Sequence, residues 1–284
     1  METVAFYSYK GGVGRSMLLA NAARYLARCG KGVVALDFDF EAPGLHYKFG
    51  GGSDHVGLVG GAVPYLVATA QGSTSAPPFE EHMISVPAPQ ETGGWIRLMP
   101  AGPAPHKSYW VALKELGDRL KLTDPSGRGI MALLDLQARI ADELRPDYLL
   151  IDARTGVTEF GGVATTVLAD TVVCMFVPNQ ESLDGTVAVV EALKAAPRLA
   201  GQRPIRVVPV LSRYGSDLWE RPLSSGMNRL LEITGPREPA PAFGFLSLPH
   251  SDAITASEAA AFSKLRSDYL EIFRALFPAL EMSS

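Results

Sequence analysis

The chain has 284 residues, 47% of them hydrophobic, enough to bury the core of one large α/β domain or of two small ones. Its 26 basic against 30 acidic side chains leave a formal net charge of −4, which excludes nucleic-acid binding over the whole surface and leaves only a local patch for it. Cys29 and Cys174 form no CxxC pair, and no window approaches the roughly 18 apolar residues of a membrane span, so a soluble chain in a reducing, cytoplasmic compartment is expected.

Short apolar runs alternate with helix-period stretches, the pattern of βα units that feed a parallel sheet. Strands are predicted at Val4–Ser8, Val33–Asp37, Ile96–Met99, Tyr148–Ile151, Val172–Val177, Ile205–Leu211 and Phe243–Leu248. Helices are predicted at Ser16–Cys29, ended by Gly30, and at Ile130–Leu144, Leu183–Ala195 and Ser257–Leu276. The expectation is a three-layer α/β fold, a mostly parallel central sheet of about seven strands flanked by helices, in a single domain spanning 1–284. A Gly-, Pro- and Ser-rich stretch around 50–105 reads as a loop-rich insertion that returns to strand character at Trp95.

The segment Tyr9-Lys10-Gly11-Gly12-Val13-Gly14-Arg15-Ser16 follows the first strand and opens the first helix. Its three glycines allow backbone N–H groups to turn inward around phosphate oxygens, while the helix directs its positive end at the same anion. Ser16 would offer a hydroxyl to Mg²⁺. The general G-x-x-x-x-G-K-[ST] loop is not met, since Tyr9 stands for the first Gly and Arg15 for the Lys. A glycine-rich turn that binds nothing is the alternative; a dinucleotide turn lacks its G-x-G-x-x-G.

Two acidic strand ends follow. Val33–Leu36 runs into Asp37-Phe38-Asp39-Phe40-Glu41, which delivers two carboxylates at i and i+2 to the carboxyl edge of the sheet, where they can position Mg²⁺ or an attacking water. Capping of Gly44 or neighbouring amides is the competing role. Tyr148–Ile151 ends in Asp152, placed to hold the metal or its water. Arg154 then offers a cation to a γ-phosphate or a facing subunit, with a surface salt bridge or a partner contact as its alternatives.

Lys10, Gly11, Gly12, Gly14 and Ser16 match the deviant loop K-G-G-x-G-K-[ST], so the chain resembles the ParA/MinD class of P-loop ATPases in a KGGVGR form. The resemblance implies Mg²⁺-dependent ATP binding in a sandwich homodimer, slow and partner-stimulated hydrolysis to ADP and phosphate, and a switch that captures and releases a protein, a DNA surface or a membrane. It implies that Lys10 reaches the partner subunit's nucleotide, that Asp39 orients water, and that Asp37 joins the magnesium shell with Ser16 and Asp152. The loop from Lys10 to Ser16, including Val13 and the guanidinium of Arg15, and Met17 after it would enclose the phosphates. Ser212 and Arg213 stand where the class reads adenine with Asn-Lys, and His250 or Ser251 falls in its second base-contacting loop. A nucleotide-dependent dimerisation or scaffold module with little or no hydrolysis is the alternative, motivated by Arg15 and the altered Ala153-Arg154-Thr155-Gly156 segment.

The five histidines, His46, His55, His82, His106 and His250, lack ligand spacing and are expected at the surface or in loops. Phe262, Leu265, Tyr269, Phe273, Leu276 and Leu280 recur at helix period; their mixed-charge neighbours favour a core helix over a membrane-seeking one, so stable membrane binding is not expected. Between Arg198 and Arg237 seven arginines face three acids, a surplus that reads as a solvated face, with nonspecific DNA binding as the alternative.

Overall fold

The computed structural model describes residues 1–50, 60–70, 76–88, 92–104, 106–122, 128–156, 158–198, 201–215, 224–235, 245–249, 266–278 and 280. Strand β1 (Glu2–Ser8) leads through a glycine loop into helix α1 (Arg15–Arg28), β2 (Gly32–Phe38) and the short α2 (Leu45–Lys48). Helix α3 (Ala62–Ala70), edge strand β3 (Ile84–Val86), β4 (Trp95–Met99), α4 (Lys107–Leu120) and α5 (Arg128–Arg139) precede β5 (Tyr148–Ala153). After β5 come α6 (Glu159–Val163), β6 (Thr171–Phe176), α7 (Gln180–Ala195), β7 (Arg206–Tyr214), α8 (Ser225–Thr234), β8 (Leu246–Pro249) and α9 (Arg266–Leu276). α5 and α6 each continue into a π-helical turn, Ile140–Leu144 and Ala164–Leu168.

Among the described residues, eight strands order as β3-β4-β2-β5-β1-β6-β7-β8, with β3 alone antiparallel to its neighbour. The inner strands β1, β2, β5 and β6 are buried on almost every residue, as expected where helices cover both faces of a parallel sheet. One face packs on α1 and α9 through Leu18, Leu19, Leu26, Tyr269 and Phe273. The other packs beneath α3 to α8, with Tyr65, Tyr109, Leu133, Leu183 and Leu230 in its core. Registers align Phe6 and Asp37 with Asp152, so three strands bring their ends to one level.

Gly30 closes α1 as predicted: at φ 77° it lets its own N–H reach Ala27 O at 3.0 Å and the Lys31 N–H reach Leu26 O at 3.0 Å, the paired bonds of a Schellman end.

Within the loop-rich stretch 50–105, 62–70 is a helix with Val63, Tyr65 and Leu66 buried and 84–86 is a paired strand. One expectation is corrected. His46 and His82 are interior: His82 is 7% exposed with Nδ1 3.0 Å from Gly61 O, and His46 is 3% exposed. The His82 ring, with one nitrogen paired, buries at modest cost. His106 is exposed, and His55 and His250 lie outside the described residues. Of the seven arginines read as a solvated face, Arg203, Arg213 and Arg229 are exposed, as expected; Arg198 and Arg206 also reach main-chain oxygens (Thr166 and Ala169; Ala275 and Leu276), and Arg229 pairs with Glu191. Arg221 and Arg237 lie outside the described residues. Tyr269, Phe273 and Leu276 are buried in the core, while Phe262 and Leu265 lie outside the described residues. No described helix is long and apolar enough to cross a membrane.

Candidate functional site

Gly12 and Gly14 adopt φ 74° and 92°, a left-handed backbone that an L side chain rarely accepts, and this turns the loop onto the first turn of α1. α1 has no side-chain cap at Gly14 and no acid in its first turn, so its leading N–H groups and positive end are left facing the loop. Val13 and Met17 are buried, at 2% and 6% exposure, and anchor the loop from below.

Arg15 does not extend along the loop. Its side chain, 7% exposed, lies between two carboxylates, with Nε donating to Asp152 Oδ1 at 2.5 Å and Nη2 donating to Asp39 Oδ2 at 2.8 Å. Burial alone would lower its pKa, and the charges of Asp152 and Asp39 outweigh that and raise it. Burial pushes the Asp152 carboxyl up, opposed by Arg15 and by the Ser16 hydroxyl against it. Among the described residues, the buried side-chain atoms without a hydrogen-bond partner include Arg15 Nη1 and Asp152 Oδ2, one from each member of this pair.

Asp37 is fully buried and accepts three backbone N–H bonds, from Asp39 at 3.1 Å, Gly44 at 3.2 Å and Leu45 at 3.1 Å. These are the contacts of the capping role. Burial, then the neighbouring charge of Asp152, moves its pKa up to about 8. Tyr109 helps to fix the same segment by donating from its hydroxyl to Phe40 O at 2.6 Å.

Lys10 pairs with Glu181 in the first turn of α7. Arg154 pairs with Glu41, the contact its salt-bridge reading anticipated, and so ties the turn after β5 to the segment after β2. Tyr7 supports that turn by donating to Gly156 O at 3.2 Å. Ser212 and Arg213, expected to face a base, bond to the glycine loop: Ser212 Oγ donates to Val13 O at 2.7 Å and Arg213 Nη1 to Gly12 O. A register shift in β7 between Ser212 and Tyr214, with Arg213 at φ 54°, aims them there. His250 lies outside the described residues.

The structure thus gathers Arg15, Ser16, Asp39 and Asp152 into one cluster, with Lys10, Arg154 and Arg213 around it, each paired within the chain. Sequence reading assigned no role to Glu181, Glu41 or Tyr109, since their partners lie far away in the chain or on the main chain.

A magnesium ion requires hard oxygen donors. The Ser16 hydroxyl beside Asp152, whose Oδ2 is buried and unpartnered, fits that requirement; Asp37, in register with Asp152, brings further carboxylate oxygens, which also accept three backbone N–H bonds.

The chain is similar in structure to the MinD cell division protein of Aquifex aeolicus, at 16% identity and TM-score 0.62 over 98% of each chain. It is also similar to the septum site-determining protein MinD of Pyrococcus horikoshii OT3 in complex with Mg-ADP, at 18% identity and TM-score 0.61 over 92% of this chain and 86% of that one. An ATP complex of a Cyanothece McdA variant matches at 16% identity and TM-score 0.62, over 99% of this chain and 96% of that one. No curated protein sequence matches the chain. The family profile described as the CobQ/CobB/MinD/ParA nucleotide binding domain matches residues 4–261, and with the glycine loop, the two acidic strand ends and the sheet order above, the chain belongs to that family.

Proposed function

We propose that the chain is a Mg²⁺-dependent ATPase of the ParA/MinD kind, a slow dimeric switch whose nucleotide state governs capture and release of a partner. The observation that carries this reading is the cluster at the head of α1, where Arg15 lies between Asp39 and Asp152 beneath a loop of inward-turned amides. The Mg-ADP and ATP bound by the P. horikoshii and Cyanothece proteins support a nucleoside polyphosphate as ligand. Loop amides from Gly11 to Ser16 and the Arg15 guanidinium would offset phosphate charge, and Asp39 would orient the attacking water. Ser16 and Asp152 would hold the metal, which when bound supplies charge neutralisation at the transferred phosphoryl group. Asp37 shapes the loop that carries Asp39, and Ser212 and Arg213 brace the glycine turn.

A second reading, a nucleotide-dependent dimerisation module with little hydrolysis, is favoured by the ion pair that Asp39 makes with Arg15, which competes with its hold on water. Steady-state phosphate release by the purified chain and by Asp39→Ala separates the two. The ATPase reading expects at least a tenfold loss in the variant, within the roughly 10²–10⁴-fold worth of a positioned base. Equal background rates would leave only the scaffold reading. The partner is proposed to be a protein; DNA is the weaker proposal, because Arg198, Arg206, Arg213 and Arg229 are engaged within the chain.

A further inference from the structure

Resting on the proposed nucleotide site, we infer that Arg15 and Asp39 form a selectivity latch that admits a polyphosphate with its divalent cation and disfavours the same anion without one. Arg15 Nε and Nη2 are committed to Asp152 Oδ1 at 2.5 Å and Asp39 Oδ2 at 2.8 Å, and the guanidinium is 7% exposed. A phosphate oxygen can recruit these donors only by taking them from carboxylates. Asp152, at 1% exposure, would then be left inside the protein without its counter-charge, and an uncompensated buried charge is costly. A bare polyphosphate adds further negative charge at the same place and makes that cost larger.

A divalent cation entering alone meets the opposite obstacle. Asp152 already faces the guanidinium on one oxygen, so the added charge would repel Arg15 with no anion present to receive it. When both enter, the exchange balances: Arg15 passes from carboxylate to phosphate while Asp152 and Ser16 pass to the cation. The two partnerless atoms of the pair, Arg15 Nη1 and Asp152 Oδ2, mark where each new bond can begin before the old ones break. A planar guanidinium is suited to this because it spans two carboxylates at once, which an ammonium point charge does less well. Asp39 is 14% exposed and sits at the open side of the pair, so it sets how firmly Arg15 is held.

Calorimetry of the full chain with ADP, in magnesium and in EDTA, tests the latch, with Asp39→Asn as the isosteric variant and thermal melts to verify folding. The wild type should bind Mg-ADP and lose much of that affinity in EDTA. Asp39→Asn, which loosens Arg15, should bind metal-free ADP roughly tenfold more tightly than the wild type does, equivalent to about 1.4 kcal/mol, and so show a smaller magnesium dependence. Wild-type and Asp39→Asn chains with the same ratio of affinities in magnesium and EDTA would overturn the latch and leave the nucleotide site standing. Failure of the folded wild type to bind ADP in magnesium would overturn both. Should Asp39→Asn melt below the assay temperature, Arg15→Lys takes its place and must show the same weakened magnesium dependence, its absence likewise overturning the latch.

Discussion

At the residue scale, Arg15 is a structural charge. It is the cation bonded to two acids that approach from β2 and β5, one of them wholly interior. Arg15→Met keeps much of the side-chain bulk but leaves Asp152 buried without its partner, and removal of one member of a buried pair costs on the order of 3 kcal/mol. Chemical denaturation should therefore show a marked loss of stability in Arg15→Met, and a much smaller one in Arg15→Lys. An Arg15→Met chain as stable as the wild type would mean that solvent, not Arg15, neutralises these acids.

His82 carries a second residue-scale prediction. Burial lowers its pKa, against the smaller opposing effects of its bond to Gly61 O and of Glu81. The unfolded ring titrates near 6.5, so below that pH the unfolded chain binds a proton that the folded chain resists. The stability contributed by the neutral ring is complete above the unfolded value and is lost as pH falls through the folded one. His46, also lowered by burial, acts with the same sign. His82→Gln retains a donor for Gly61 O and should flatten the fall in melting temperature between pH 7 and pH 5; identical slopes in wild type and variant would contradict this.

At the scale of elements, the close approach of β4 to α1 is made by a glycine that reads as a loop breaker in sequence. A Cβ on Gly94 would lie 2.0 Å from Ala27 O, a backbone atom in the last turns of α1 that cannot swing aside. Gly94→Ala should destabilise the fold by about 1–3 kcal/mol, as overpacking of a fixed contact does, measured by urea melts; an unchanged midpoint would show that β4 shifts freely. The same contact marks where sequence reading stops. The inner strands were legible because both of their faces are buried and the apolar runs are continuous. β3 has three residues with mixed exposure and no run to detect. α3 (Ala62–Ala70) is apolar along most of its length and carries Pro64, so it lacks the polar face that sets a helical period. α4 has Tyr109, Leu116 and Leu120 inward, but exposed Trp110 and Val111 blur its stripe. In the site, the glycine loop and the acids at strand ends were legible because each is local. The Lys10–Glu181 and Arg154–Glu41 pairs were not, since they depend on how separate elements meet.

For the whole molecule, the decisive question is what lies opposite Lys10. Its side chain is 42% exposed at the carboxyl edge of the sheet, paired with Glu181 in the first turn of α7, whose side chain is 73% exposed. An exposed pair of this kind holds its geometry weakly and is screened by salt. Arg15 reaches Asp39 and Asp152, and Arg213 reaches Gly12 O from β7, so two cations already face the loop from within the chain. Lys10 points instead to the rim, where a second subunit's nucleotide would supply an anion that competes with Glu181. In heterodimers that combine a Lys10→Ala subunit with an Asp39→Ala subunit, a role across the interface places both defects on one nucleotide site and leaves the other intact. Heterodimers purified free of either homodimer should keep about half of the wild-type phosphate release, as one of two sites survives. A role within its own subunit spreads the defects over both sites and abolishes turnover, and that outcome would remove the sandwich arrangement while leaving each subunit's fold and loop as described.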